Sequence, residues 1–125
     1  MNGRSVRPWA RGLRAETVAA LWLMLKGYRV LGRRVRFAAG SGAGEIDLIA
    51  RRGRALVFVE VKARADLGSA AEAIRPEQRR RIVRAAEAFL AGRPDLSGLE
   101  VRFDAILVAP GRIPRHISGA WRADE

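Results

Sequence analysis

Gly44-Glu45-Ile46-Asp47-Leu48-Ile49, answered by Val57-Phe58-Val59-Glu60-Val61-Lys62, is the stretch whose reading decides the fold. Both runs have the β-branched and aromatic content of buried strands, yet they carry three acids and a lysine. Ionised groups among apolar neighbours are costly unless they are paired or bind a cation. Two adjacent strands that accept this cost point to a site rather than to plain core.

A short turn at Arg52-Gly53 joins the strands, expected at about 44–51 and 55–63. With Arg51 facing Arg54, Asp47 would face Phe58 and Glu45 would face Glu60. Directly opposed residues share a face, so Glu45, Asp47, Glu60 and Lys62 fall on one face, and Val57, Val59 and Val61 on the other. Asp47 and Glu60 then become diagonal neighbours, roughly 7–8 Å apart at the backbone. Carboxylates without soft ligands suit Mg²⁺ or Mn²⁺, with Asp47, Glu60 and Glu45 as the candidate ligands. Such an ion polarises a phosphoryl oxygen and acidifies a bound water. Lys62 could orient that water or offset the charge that develops on phosphorus. The chemistry indicated is phosphodiester hydrolysis.

Working outward, Val18, Leu21, Trp22 and Leu25 recur at helical spacing, which predicts a helix from about Trp9 to Lys26 that stops at Gly27. Glu16 lies on it one turn before Ala19 and Ala20, small residues that allow close approach to a sheet, and is therefore a candidate site acid. As a first-turn acid it would equally complement the helix dipole. Tyr28 to Ala39 reads as a strand bent near Gly32, and Gly40 to Gly44 as a flexible loop. Ala70 to Ala73 reads as a helical turn. A second helix is expected from Pro76, a favoured first residue, to Ala91, with Ile82, Val83, Ala86, Phe89 and Leu90 as its apolar stripe. Gln78 lies in line with Ile82, Ala85 and Phe89 and so could point toward the site; Arg80, Arg81 and Arg84 are expected on the outer face. Leu99 to Val108 is a further strand, and Pro110 to Trp121 an irregular or short-strand ending. Phe103, Ile106 and Trp121 are expected in the core, Asp104 buried against an arginine, and His116 in a structural role. The order α-β-β-β-α-β describes one layered α/β domain over 9–125, after a basic flexible tail at 1–8.

Composition narrows the chemistry. The 125 residues fit one domain, and the absence of cysteine excludes disulfides, thiolate zinc sites and thiol nucleophiles. One histidine leaves little scope for an imidazole-rich zinc site. The longest apolar run, Val18 to Leu25, is too short to span a bilayer, so a cytoplasmic protein without a membrane partner is expected. Net charge is +11, which suggests a polyanionic partner such as nucleic acid. All but Lys26 and Lys62 of the 24 basic residues are arginine. A lysine at the end of a buried-type strand therefore suggests a need for an ammonium, which can give or take a proton.

With these motifs assembled, the chain resembles the PD-(D/E)xK nuclease superfamily, which has the same element order. More closely it resembles the YraN family of small bacterial proteins, itself similar to archaeal Holliday-junction resolvases. The motifs are the helix with Glu16, Gly44 to Ile49, Phe58 to Lys62 with Arg64, Ile74-x-Pro76-x-Gln78 with Arg81, and Arg102-Phe103-Asp104. The resemblance implies a restriction-endonuclease-like domain with a mixed sheet flanked by helices. It also implies Asp47 and Glu60 as metal ligands, Lys62 as the catalytic lysine and Glu16 as a further acid. Isoleucine, not proline, precedes Asp47. Gln78 joins the candidate catalytic set, and Arg64, Arg79, Arg80 and Arg81 are candidates for phosphate contact. The function implied is Mg²⁺- or Mn²⁺-dependent cleavage of DNA, including branched DNA, with a homodimer if two cuts are made. A nucleic-acid-binding accessory protein with little cleavage is the alternative, and a basic structural or ribosome-associated module is a further one.

Overall fold

A computed structural model describes residues 8–38, 40–65 and 74–124, and the side chains of 8–13 are left undescribed. The expected tail therefore lies outside the described residues up to position 7, as does the turn expected at Ala70 to Ala73. Pro8 opens the first helix, α1 (Pro8–Leu25). It ends on Gly27, whose φ of +91° suits a residue without Cβ. Tyr28 N–H donates to the Leu23 carbonyl and Gly27 N–H to that of Met24, the paired bonds of a Schellman ending.

Five strands follow as one sheet in the order β1 (Arg29–Val35), β2 (Ile46–Arg52), β3 (Ala55–Ala63), β4 (Glu100–Val108) and β5 (Arg115–Trp121). Only β3 and β4 are parallel, and α2 (Pro76–Ala91) lies in the connection between them. The segment expected as an irregular or short-strand ending forms a seven-residue edge strand, β5. Gly32 does mark an irregularity, a register shift against β2.

The sheet separates two cores. On one face Ala19, Ala20 and Leu23 of α1 meet Leu48, Ala50, Val57, Val59 and Ile106. On the other, Ile82, Ala85 and Ala86 of α2 join Ile49, Leu56, Phe58, Phe103 and Leu107, and Trp121 stacks on Phe103.

The hairpin register differs from expectation. Arg52 pairs with Ala55 and Leu48 with Val59, so the two loop residues are Gly53 and Arg54. Gly53, at φ +60°, occupies the first loop position, where a primed hairpin turn needs a left-handed residue. Phe58 therefore faces Ile49, not Asp47. Continuing this register brings Asp47 level with Glu60 and Glu45 level with Lys62. The shift is by two residues, so the expected facing of the four is preserved.

Candidate active site

Asp47 is the second residue of β2 and Glu60 lies late in β3, on the face covered by α2. Both border a cleft of about 370 Å³ that Gly44, Glu45, Gln78 and Arg81 also line. Glu60 is buried. Its Oε2 accepts from the Gln78 amide and stands 3.1 Å from the Lys62 ammonium, which also donates to Gln78 Oε1 at 3.3 Å. One amide thus ties acid and lysine together. Asp47 Oδ2 accepts the Val61 backbone N–H at 2.8 Å. Burial pushes the Asp47 carboxyl up to about 8, and the neighbouring Glu60 charge adds to this, with the Val61 N–H opposing. Two carboxylates share a single ammonium here, that of Lys62 on Glu60, and this shortfall beside open space is the electrostatic profile of a cation site.

Glu45 also reaches the cleft, but its carboxylate is engaged by Arg36. Gly44 crosses so close to α2 that a Cβ there would stand 3.1 Å from that of Arg81, and its N–H donates to the Arg81 carbonyl. Arg81 lines the cleft and Arg84 reaches the Gly42 carbonyl, while both stay exposed, as the outer-face expectation had them. Arg75, absent from the expected site residues, also lines the cleft, as does Glu77, expected only as a surface partner of Arg81. Arg75 precedes proline, which holds it extended at ψ 152° at the helix entrance. The Arg-Pro step was the available signal. Of the other arginines, Arg64 and Arg80 are exposed, while Arg79 donates to the Ile74 carbonyl.

Glu16 is buried, but the structure does not bring it to this cluster. It lies on α1, on the opposite face of the sheet, where Arg33 donates to it at 3.1 and 3.3 Å. Among the described residues no three acids or histidines gather as a ready-made metal cage. The donor set on the cleft is the Asp47–Glu60 pair, with Glu45 beside it.

A second buried acid sits on the α1 face. Asp104 is fully buried on β4 and accepts two bonds from Arg102 at 2.8 Å, one from His116 Nε2 at 2.7 Å and one from Gly119 N–H at 2.9 Å. The Lys26 ammonium lies 2.6 Å from His116 Nδ1. Because an ammonium only donates, Nδ1 accepts and Nε2 carries the proton given to Asp104. Burial alone would raise the Asp104 carboxyl, but Arg102, His116 and Gly119 outweigh it and hold the group below its usual value.

Residues 15–108 match the uncharacterised protein family UPF0102. A UPF0102 protein of Paramagnetospirillum magneticum is 60% identical over 114 residues, covering 91% of this chain and 88% of the relative. One of Methylorubrum extorquens is 56% identical over 114 residues, covering 91% and 86%. Among solved structures, the Holliday junction resolvase Hjc of Archaeoglobus fulgidus superposes with a TM-score of 0.56 at 20% identity, covering 86% of this chain and 76% of the resolvase. That likeness shows a resolvase-like, restriction-endonuclease-like fold. Among the described residues no helix is long and apolar enough to cross a membrane. With a family match across most of its length and relatives at more than half identity, the chain belongs to the UPF0102 (YraN) family.

Proposed function

We propose that this protein binds DNA and hydrolyses its phosphodiesters in the cleft between β2, β3 and α2, using Mg²⁺ or Mn²⁺, with branched DNA as the preferred substrate. The observation that carries this reading is that Asp47 and Glu60 line one open cleft with a single ammonium, that of Lys62, for the two of them, in a chain with net charge +11. Asp47 and Glu60 would hold the ion, with Glu45 completing the set once it exchanges Arg36 for metal. A bound ion of this kind supplies Lewis acidity to the phosphoryl oxygen and a more acidic water. Lys62, steadied by Gln78, offsets negative charge on the pentacoordinate phosphorus. The attacking water forms its bond to phosphorus and releases a proton to solvent, the bond to the leaving deoxyribose oxygen breaks, and that oxygen takes up a proton. Arg75 and Arg81 face flanking phosphates. The preference for branched DNA draws on the fold likeness to a Holliday junction resolvase.

The accessory reading, DNA binding with little cleavage, has one observation in its favour: the Lys62 ammonium is already committed to Glu60 and Gln78. A cleavage panel of duplex, single-stranded, flap and four-way DNA with Mg²⁺ and Mn²⁺ separates the two. Cleavage that disappears in Asp47→Asn and Glu60→Gln, with DNA binding retained, supports hydrolysis; a wild type that cuts no substrate leaves the accessory role. Lys62→Arg keeps the charge but adds bulk and cannot readily lose a proton, so it should bind DNA and cut poorly. Contact with about 5–7 phosphates gives a slope of log affinity on log salt of roughly −4 to −6. A slope near zero would remove the polyanion partner.

A further inference from the structure

Helix α1 is built inside out. The buried apolar side chains it turns to the sheet are mostly small, Ala15, Ala19 and Ala20, with Leu23 the large one among them and Trp22 half-buried beside it. The large ones face away: Leu21 and Met24 are 55% exposed, Leu25 is 81% exposed, and Val18 adjoins them. Four of the six exposed large apolar side chains among the described residues are on this one helix. Helix α2 shows the ordinary arrangement, with Ile82, Ala85 and Ala86 inward and Arg80, Arg84 and Glu87 outward. A helix that is apolar all round is normally covered on all sides, and a contiguous exposed apolar patch usually marks a contact surface.

We infer that the outer face of α1 is a two-fold interface, through which two copies of this chain pair by antiparallel α1 helices centred on Leu21. Charge selects a second copy as the occupant. The molecule carries +11, so two copies repel over most approaches, but from Thr17 to Leu25 there is no charged side chain. An isologous contact sets this neutral stripe against itself and brings no like charges together at its centre. The antiparallel arrangement also helps at its edges. Arg14 is exposed two turns before Leu21, on the same side of the helix, and so approaches the C-terminal turn of the partner helix. That turn is the negative end of the helix dipole and contains no basic residue of its own. One helix face is small beside the roughly 800 Å² per partner of a stable complex, so the pairing is a concentration-dependent monomer–dimer equilibrium.

Sedimentation equilibrium of the full chain over a range of concentration and salt is the test. The wild type should dimerise, and more tightly as salt rises, because screening weakens the repulsion between the two charged bodies while leaving the apolar contact. This is the reverse of the salt dependence of DNA binding and does not depend on catalysis. Leu21→Glu and Leu21→Arg should each weaken the dimer by at least about tenfold while leaving the thermal transition and duplex binding unchanged. Because position 21 meets itself across the axis, an equimolar mixture of the two variants should recover the dimer. A wild type that stays monomeric, a dimer that survives Leu21→Glu, or a mixture that does not recover overturns the inference. So does a monomer that sediments with anionic phospholipid vesicles through Leu21, which would make a lipid surface the occupant.

Discussion

Asp47 and Asp104 are aspartates on strands of one sheet, on opposite faces of it, and their carboxyls are shifted in opposite directions. Asp104 has four hydrogen bonds from a guanidinium, an imidazole and a main-chain amide, and is held below its usual value. Asp47 has one backbone N–H and the Glu60 carboxylate for company, and is pushed up to about 8. The first is a closed polar network. The second is an electrostatic deficit that a cation would fill. Burial of an acid does not by itself mark a site; the missing counter-charge does.

The largest effect that tests this contrast is on stability. Asp104→Ala removes the one anion that Arg102 and His116 share in the interior, so unfolding in urea should show a loss of about 3–5 kcal/mol. Asp47→Asn, which relieves repulsion with Glu60, should leave the metal-free protein as stable as the wild type or more so. If both substitutions cost the same, the two aspartates do not differ in kind.

The contrast was half legible in the sequence. Alternation placed Glu45, Asp47, Glu60 and Lys62 on one face; a register error of an even number of residues leaves that facing unchanged, and Glu45, Asp47 and Glu60 line one cleft. Arg52-Gly53-Arg54 could not fix the turn, since glycine is at home in either loop position. Gln78 was visible from its place on the α2 stripe. Asp104 was legible in part: burial against an arginine was expected, and Arg102 supplies it, but the ring partner His116 comes from β5, which read as an irregular or short-strand ending, and Lys26 comes from the other end of the chain. Glu16 shows the limit of helix periodicity: its alignment with Ala19 and Ala20 marks it as inward-facing but not which side of the sheet it meets. The outward turn of Leu21, Met24 and Leu25 was hidden because a helix apolar on both sides offers no unique inner face.

Next in size is the pH response. Between the ordinary carboxyl value of 3.8 and about 8, folded Asp47 holds a proton that the unfolded chain has lost. Stability of the metal-free protein should therefore fall as pH rises through that window. Asp104 works in the opposite sense: its contribution is present above its unfolded value and is lost as pH falls through its lowered folded value. Denaturation curves at a series of pH values should show the falling limb flattened in Asp47→Asn and the acid limb weakened in Asp104→Asn. An unchanged falling limb in Asp47→Asn would assign the proton to another group.

Metal should reverse the first of these trends. An ion held by Asp47 and Glu60 competes with the Asp47 proton, so Mg²⁺ or Mn²⁺ should raise the melting temperature more at pH near 8 than near 6. At a free concentration a hundredfold above the dissociation constant the gain is about 2.7 kcal/mol. Calorimetric scans of Asp47→Asn should show little of it. An equal rise at both pH values would mean that the cation binds elsewhere.

The smallest effect falls on Gln78, the residue that makes Glu60 and Lys62 one unit. Its amide N–H serves Glu60 and its carbonyl serves Lys62. Gln78→Leu has similar bulk and removes both bonds, but Lys62 keeps its direct contact with Glu60 at 3.1 Å. The fold should lose only about 1 kcal/mol, the ordinary net worth of one or two such bonds. Activity is the finer readout. A lysine free to turn about Glu60 is no longer aimed, so turnover should drop while DNA affinity and the metal-induced rise in melting temperature stay as in the wild type. Gln78→Glu then separates aim from charge, because a third carboxylate at this point could still accept from Lys62 but would repel Glu60 and deepen the deficit beside Asp47. It should lower metal-free stability at neutral pH and strengthen Mg²⁺ binding. If both variants turn over like the wild type, the Gln78 bridge is packing alone, and Lys62 is positioned by Glu60 without it.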